Sequence, residues 1–252
     1  RFQNGKIAAK VHVVFDPKAA LPVFYEVTAA NTNDITVAKE RLPVENGATY
    51  IFDLGYYDFG FWADLDTKGC TFVTRLKKNT SVTVLENRVV PSGSNVIADQ
   101  VVRLPMRMAR NRHNPFDRPG RMVTVTLDTG KVLRLFSNDL ESPAAEISEL
   151  YRTRWQIELF FRWIKQNLRI RHFLGRSENA VRLQVATAII TYLLLKLMHR
   201  ASRTKKAFGH FTRSIQHALF HRIEVATLVN RIERRDRKRT PETGPQLELK
   251  LT

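Results

Sequence analysis

The stretch YRTRWQIELFFRWIK, residues 151–165, decides how the rest of the chain is interpreted. It lies in a segment without proline or glycine, residues 144–171, which Ser142 and Pro143 precede as an N-cap and a favoured first helical residue. We therefore predict one long helix over this segment. Because successive residues of a helix are rotated by about 100° around its axis, four polar side chains lie within one arc of about 60° on the helix surface. They are Tyr151, Arg154, Glu158 and Lys165.

This polar arc suits chemistry on phosphodiesters. A carboxylate binds a hard divalent cation, Arg and Lys neutralise phosphates, and Tyr can donate a hydrogen bond to a phosphate oxygen. One carboxylate seldom suffices for Mg²⁺. Asp53 follows a predicted buried strand, residues 49–52, and is the natural second ligand. Two such carboxylates could position the metal ions of two-metal phosphoryl transfer.

Each of these residues also has an ordinary structural explanation. Arg154 and Glu158 are four residues apart and would form an ion pair on any exposed helix. Asp53 could cap the turn that contains Gly55. Trp155 and Trp163 flank the polar arc and either pack in the core, which we favour, or stack on bases.

Shorter patterns predict the other elements. Two β-rich runs around Asp16-Pro17 predict an antiparallel hairpin, residues 6–15 and 21–28. Helix signals predict four further helices, at residues 34–42, 59–68, 178–200 and 212–235. Five β-rich runs between residues 71 and 137 predict an all-β insertion, with strands at residues 71–75, 81–86, 96–104, 122–127 and 132–137.

The charge of the chain is large and uneven. The 252 residues include 41 basic and 24 acidic side chains, a net charge of +17, and 43% are hydrophobic, which excludes a wholly disordered basic tail. Residues 1–150 carry 19 basic and 17 acidic residues, whereas residues 151–239 carry 21 and 5. The second region predicts a polyanionic partner, double-stranded DNA rather than the alternative, an anionic membrane surface.

Three further features of the sequence are informative. The single cysteine, Cys70, excludes a disulfide scaffold and fits a reducing compartment. The most apolar stretch, residues 185–195, is 11 residues long, shorter than a membrane span, so we predict none. The first residue is Arg1, and we expect the chain to be a fragment.

The spacing Tyr151-x2-Arg154-x3-Glu158-x6-Lys165 is similar to the Tyr-Arg-Glu-Lys signature of the bacterial insertion-sequence-four family of DDE transposases. Upstream, FDLGYYD at residues 52–58 resembles that family's second-aspartate segment, and FVTRLK at residues 72–77 resembles the segment after it. Lys10-Val11-His12 and Asn33-Asp34 stand where the family has related short motifs. The resemblance extends from residue 6 to about residue 200.

The resemblance implies an α/β fold with a ribonuclease-H-like mixed sheet flanked by helices, and a β-rich insertion before the helix with the catalytic Glu. It implies that Asp53 and Glu158 are two of three catalytic acids that bind Mg²⁺ or Mn²⁺, and that Tyr151, Arg154 and Lys165 bind transposon-end DNA. Family members cut DNA strands with water, join the freed 3′ hydroxyl to target DNA, and act as dimers. The resemblance also implies that the protein is located in the bacterial cytoplasm, in association with the nucleoid.

One expected acid is missing. The family's first aspartate precedes the Lys10 region, where residues 1–5 contain none, and neither Asp16 nor Asp34 occupies its place. We therefore expect an amino-terminally truncated, inactive transposase domain. It would consist of the first part of the core (residues 1–70), the insertion (71–140), the helical part (141–200) and a basic carboxyl-terminal helix and tail (201–252). The alternatives are a non-catalytic DNA-binding remnant and a ribonuclease-H-like repair nuclease, which gives no reason for the polar arc.

Overall fold

The computed structural model describes residues 9–90, 92–107, 112–168, 174–175 and 177–221. Within these ranges the chain forms strands β1 Ala9–Asp16, β2 Leu21–Ala29, β3 Thr49–Ile51, β4 Thr71–Arg75, β5 Thr83–Arg88, β6 Val96–Arg103, β7 Gly120–Thr126 and β8 Val132–Ser137. The helices are α1 Asp34–Arg41, α2 Phe59–Thr67, α3 Ala144–Thr153, α4 Trp155–Asn167, α5 Glu178–Ala201 and α6 Phe208–His221. A short 3₁₀ helix, Leu54–Tyr56, follows β3.

The strands form two sheets. β1 and β2 are an antiparallel hairpin, as predicted, with a bulge between Val14 and Phe15. The other six strands form one sheet in the order β3-β4-β8-β7-β6-β5. β3 and β4 are parallel, and every other pair in this sheet is antiparallel. The predicted mixed sheet flanked by helices is therefore confirmed.

The large sheet is covered on both faces because its strands alternate apolar side chains between them. On one face, Trp62 of α2 is fully buried beside Phe72, Phe116 and Phe136. On the opposite face, Ile147 of α3 packs with strand residues that include Val73, Val123 and Leu135. Burial of side chains this large contributes about 1.5–3 kcal/mol each relative to exposure.

A separate core surrounds the hairpin. Val27 of β2 packs with Phe160 and Ile164 of α4 and with Val185 and Tyr192 of α5. The Tyr192 hydroxyl donates a hydrogen bond to the Ala20 carbonyl at 3.0 Å, which ties α5 to the hairpin turn. The structure thus contains a core around the large sheet and a second core around the hairpin.

The β-rich segment has five strands, within about three residues of the predicted positions. These strands do not stand apart from the rest of the chain, because β4 pairs with β3 and β8 pairs with β4. The sheet therefore continues across residue 70, where the first domain boundary was predicted. The division of the chain at residues 70, 140 and 200 stays a prediction.

The prediction of one helix over residues 144–171 is wrong. The regular pattern of helical i→i−4 hydrogen bonds is interrupted at Arg154. The Arg154 N–H bonds to the Tyr151 carbonyl at 3.2 Å, and the Arg154 carbonyl accepts from the Ile157 N–H at 3.4 Å. These i→i+3 bonds separate α3 from α4 although Arg154 keeps helical dihedral angles (φ −51°, ψ −30°). The physical reason is tertiary, since α3 packs on the large sheet and α4 on the hairpin.

Helix α5 matches its predicted span within one residue, and Ser177 precedes it as the N-cap, with its hydroxyl accepting from the Ala180 N–H at 3.2 Å. This 24-residue helix is long and apolar enough, by length and composition alone, to cross a membrane, although its longest apolar run is only 11 residues. One face nevertheless packs on the hairpin. Helix α6 begins at Phe208, earlier than predicted, and residues 222–235 of the predicted helix lie beyond the described chain.

Candidate functional site

Asp53 lies at the edge of the large sheet where two parallel strands end. The Phe52 N–H bonds to the Val73 carbonyl at 3.0 Å, which extends the pairing of β3 with β4 by one residue. The chain then turns, and Asp53 caps the short 3₁₀ helix, with Oδ1 accepting from the Gly55 N–H at 2.8 Å. The ordinary explanation of Asp53 as a turn cap is therefore correct, and the same turn presents its carboxylate at the sheet edge.

Glu158 and Arg154 form the expected ion pair. Arg154 Nη1 lies 2.7 Å from Glu158 Oε1, and the two side chains are 24% and 39% exposed. Burial acts to lower the pKa of Arg154, but the hydrogen bond to Glu158 and the negative charges of Glu158 and Asp53 raise it overall. Both carboxylates therefore act on one guanidinium group, which stays fully charged.

Tyr151 completes this group from the last turn of α3. Its side chain is 8% exposed, and the guanidinium carbon of Arg154 lies 5.8 Å from its ring centre. Burial raises the pKa of the Tyr151 hydroxyl, the charges of Arg154 and Arg75 lower it, and the charge of Asp53 raises it again, with a net increase. The hydroxyl is therefore protonated at neutral pH and can donate a hydrogen bond.

The structure thus brings together four of the five predicted site residues: Asp53, Tyr151, Arg154 and Glu158. Lys165 is exposed on α4, seven residues beyond Glu158 and therefore about 10 Å further along the helix axis. It extends the positive surface of the helix without joining the compact group.

Asp34 approaches this group, although it was not among the predicted site residues. The position that a Cβ atom on Gly55 would take lies 3.0 Å from Asp53 Oδ1 and 3.7 Å from Asp34 Oδ2. Burial raises the pKa of Tyr56 to about 12, assisted by the charges of Asp34 and Asp53. The Lys10-Val11-His12 and Asn33-Asp34 motifs were the available signal for this proximity.

Asp34 is held by two side chains of β1, a lysine and a histidine. Its carboxylate lies 2.9 Å from Lys10 Nζ and 3.0 Å from Nδ1 of the buried His12. His12 Nε2 in turn lies 2.9 Å from Thr28 Oγ1. Burial lowers the pKa of His12 despite the opposing charge of Asp34. This network joins the hairpin to the start of α1, next to the Asp53 turn.

The two tryptophans near the polar arc have different surroundings. Trp163 is partly buried, with its ring 5.2 Å from those of Tyr192 and Phe208, so the prediction of core packing is right for it. Trp155 is 49% exposed, and only the Arg162 guanidinium approaches its ring among the described contacts, at 5.8 Å. The core prediction is wrong for Trp155, because α4 turns that face away from the hairpin.

The donor set partly fits a divalent cation. Asp53 and Glu158 each use one oxygen in the bonds above, so each has a second carboxylate oxygen of the hard type that Mg²⁺ prefers. Among the described residues, however, no group of three or more His, Cys, Asp or Glu side chains is arranged to hold a metal ion. The residues present could therefore supply two protein ligands of an incomplete set.

Comparisons with known proteins agree on one family. Residues 3–194, about three quarters of the chain, match the family described as "Transposase DDE domain". A protein of Sinorhizobium fredii named as the transposase y4zB is 40% identical over 230 residues, 89% of this chain and 63% of its own length. A protein of Synechocystis named as a transposase for insertion sequence element IS4SA is 32% identical over 158 residues, 61% of this chain and 42% of its own.

A transposase of Geobacillus stearothermophilus, named for insertion sequence element IS5377, is 27% identical over 209 residues, 81% of this chain and 52% of its own length. The chain therefore spans between about two fifths and two thirds of these relatives. Among solved structures, the piggyBac transposase synaptic complex with hairpin DNA aligns with a TM-score of 0.52 at 12% identity, covering 93% of this chain and 48% of that one. This likeness confirms the predicted ribonuclease-H-like fold. The family match over about three quarters of the chain shows that the chain belongs to the DDE-domain transposases.

Proposed function

We propose that this chain is the catalytic domain of a transposase that cleaves DNA at transposon ends and transfers the freed strand to a target, with a divalent metal ion. The observation that carries the proposal is the Arg154–Glu158 ion pair at 2.7 Å beside the buried Tyr151, with Asp53 within electrostatic reach of the same guanidinium group. Carboxylates, a guanidinium and a phenol in one place are the groups that phosphodiester chemistry requires. The names of the relatives, which refer to insertion sequences, support this function.

In this proposal each side chain has a distinct task. Asp53 and Glu158 would supply two of the ligands for Mg²⁺ or Mn²⁺, and a bound ion would supply Lewis-acid stabilisation of charge on the reacting phosphate oxygens. Arg154 keeps Glu158 oriented through their ion pair and offers its remaining N–H groups to a phosphate. The protonated Tyr151 hydroxyl donates to a phosphate oxygen, and Lys165 contacts the DNA backbone further along α4.

We further propose that this chain alone does not cleave DNA, because neither of the two other aspartates considered for the third acid forms a metal-binding group with Asp53 and Glu158 among the described residues. Asp16 Oδ1 accepts from the Lys18 and Ala19 N–H groups at 2.8 and 3.1 Å, inside the hairpin turn. Asp34 is paired with Lys10 and His12. Both Asp34 oxygens are thus occupied, and Asp16 lies in the hairpin turn, so in this proposal neither acts as the third acid that the family resemblance implies.

The proposed partner is double-stranded DNA, both the transposon ends and the target, bound mainly by residues 151–239. That region has an excess of 16 positive charges. A homodimer that bridges two DNA ends is part of the proposal.

The test is substitution of the helical acid in the intact transposase. Glu158→Ala should lower Mg²⁺-dependent end cleavage by at least about 10²- to 10³-fold, because the metal contributes several kcal/mol of transition-state stabilisation. DNA affinity should change little. Glu149→Ala is the matched control, since Glu149 is an exposed glutamate of α3 paired with Arg152 at 3.1 Å. Retained cleavage by the Glu158 variant would contradict the assignment.

The second candidate is a transposase remnant that binds DNA without cleaving it. The absence of a three-acid cluster among the described residues favours it for this chain. If the intact transposase binds end DNA but shows no cleavage with Mg²⁺ or Mn²⁺ even with Glu158 present, this second function is correct.

A further inference from the structure

We propose that Arg75, which lies in the FVTRLK segment but is not one of the four signature residues, is a second phosphate-binding arginine of this site and shares one DNA phosphate with Arg154 beside Tyr151. This inference rests on the proposed function and names a further residue that recognises its substrate. The position, the charge and the unused hydrogen-bond donor of Arg75 each support it.

Arg75 lies at the same sheet edge as Asp53. It is the last residue of β4, and Asp53 follows the end of β3, which is parallel to β4 with Ile51 opposite Val73. Carboxyl ends of parallel strands meet at the same sheet edge, so Arg75 and Asp53 are neighbours there. Because side chains alternate along a strand, Arg75 also shares a face with Val73, which is the face that α3 and Tyr151 cover.

The charge of Arg75 acts on the same hydroxyl as that of Arg154. Both arginines act to lower the pKa of Tyr151, so both guanidinium groups lie within electrostatic reach of its hydroxyl. Arg154 has a carboxylate partner in Glu158, whereas no salt bridge of the described residues includes Arg75. A positive charge without a local counterion remains beside the hydroxyl that would meet a phosphate.

Both arginines also have an unused hydrogen-bond donor. The Nε atoms of Arg75 and of Arg154 are buried, and neither has a hydrogen-bond partner within the described part of the chain. A buried donor without a partner is destabilising, so two such donors, each on an arginine within electrostatic reach of Tyr151, indicate a missing acceptor. A phosphate oxygen would satisfy both, because guanidinium groups bind phosphate through several N–H donors at once.

The experiment measures binding of a short duplex oligonucleotide of arbitrary sequence by fluorescence anisotropy at several salt concentrations. The variants are Arg75→Gln, Arg154→Gln and the double substitution. The matched control is Arg103→Gln, which removes an exposed arginine at the end of β6, three strands away from β4 in the same sheet. The melting temperature of each variant without DNA is measured as well.

Arg75→Gln should weaken binding about tenfold, and Arg103→Gln should not, because only the former loses a charge-assisted hydrogen bond. The double variant should lose less affinity than the product of the two single losses, since both arginines hold one phosphate. The melting temperature of Arg75→Gln should equal or exceed that of the unsubstituted protein, because an unsatisfied buried donor has been removed.

The outcomes separate the two proposals. If the unsubstituted protein shows no salt-dependent DNA binding, the proposed function fails before Arg75 is considered. If it binds but Arg75→Gln behaves like Arg103→Gln, the role of Arg75 is refuted and the proposed function stands. If the affinity loss of the double variant equals the product of the two single losses, the arginines contact different phosphates and the shared site is refuted. A lowered melting temperature with unchanged affinity would show that Arg75 is structural.

Discussion

Single residues at the sheet edge serve both the fold and the candidate chemistry. Asp53 caps a turn with one oxygen, and Arg154 pairs with Glu158 through one nitrogen. Each then has a polar atom to offer a ligand, the second Asp53 oxygen and the buried Nε of Arg154. Spacing along the sequence identified the residues, but only the three-dimensional arrangement distinguishes the atoms already used from those still available.

Asp58 provides a test of charge at the residue scale. It caps α2 by accepting from the Phe61 N–H at 2.8 Å and lies 2.8 Å from Lys39 Nζ. Burial acts to raise its pKa, but the hydrogen bonds from Lys39 and from backbone N–H groups lower it overall. Because the folded pKa lies below the unfolded value, this stabilisation is present above about pH 4 and is lost as the pH falls through the folded pKa.

We therefore expect Asp58→Asn to reduce the free energy of unfolding at neutral pH by about 0.5 kcal/mol, the scale of a half-exposed ion pair, since Asn still caps a helix. The difference between the two proteins should disappear below the folded pKa. Urea unfolding at a series of pH values measures it. A difference that persists unchanged at low pH would mean that the charge of Asp58 is not its source.

At the scale of elements, local signals predicted most of the secondary structure. The hairpin, α1, α2 and α5 lie within about three residues of their predicted spans, because turns, caps and periodicity are encoded nearby in the chain. The break at Arg154 was not predictable in this way. The segment around it has no helix-breaking residue, and the interruption follows from packing its two halves on different cores.

A buried ion pair links two elements of the large sheet. Arg121 of β7 donates to Asp99 of β6 through two nitrogens at 2.7 and 2.8 Å, and also to the Ser142 carbonyl before α3. Both charged side chains are 3% exposed. We expect Arg121→Met alone to cost about 3–5 kcal/mol, because it would leave the Asp99 charge buried and unpaired.

The matched variant is the double substitution Arg121→Met with Asp99→Leu. It should recover most of the lost stability, since replacing both partners removes the unpaired charge. Thermal and denaturant unfolding of the three proteins give the comparison. Equal destabilisation by the single and double variants would show that the bond to Ser142, rather than the ion pair, is the important interaction.

At the scale of the whole molecule, the two halves differ in charge far more than in apolar content. We expect exposed cations of the second half to dominate DNA binding. Lys205→Gln with Arg213→Gln should reduce the slope of log affinity against log salt by about one for each phosphate that the protein no longer neutralises. The matched control is the double variant Lys18→Gln with Lys131→Gln, which removes two exposed cations of the first half. Equal changes in both pairs would contradict a localised DNA surface.

The candidate site could be predicted only where a local pattern marks its residues. Asp53 ends an apolar strand, and Glu158 shares a helical arc with Tyr151 and Arg154, so a pattern pointed to each. Arg75 and Asp34 were overlooked for this site, because the parallel pairing of β3 with β4 and the docking of the hairpin bring them to it. Proximity between segments so distant in sequence is not encoded by spacing.

The placement of the two acids on different cores has a mechanical consequence. Asp53 follows Phe52, which packs under α2, whereas Glu158 is carried by α4, which packs on the hairpin. The distance between these two acids therefore depends on how the core of the large sheet packs against the core of the hairpin. Arg154 lies where the chain passes from one core to the other. The distance between the two acids is therefore fixed only as firmly as the two cores are held together at Arg154. A substitution deep in either core can change that distance without contacting the site.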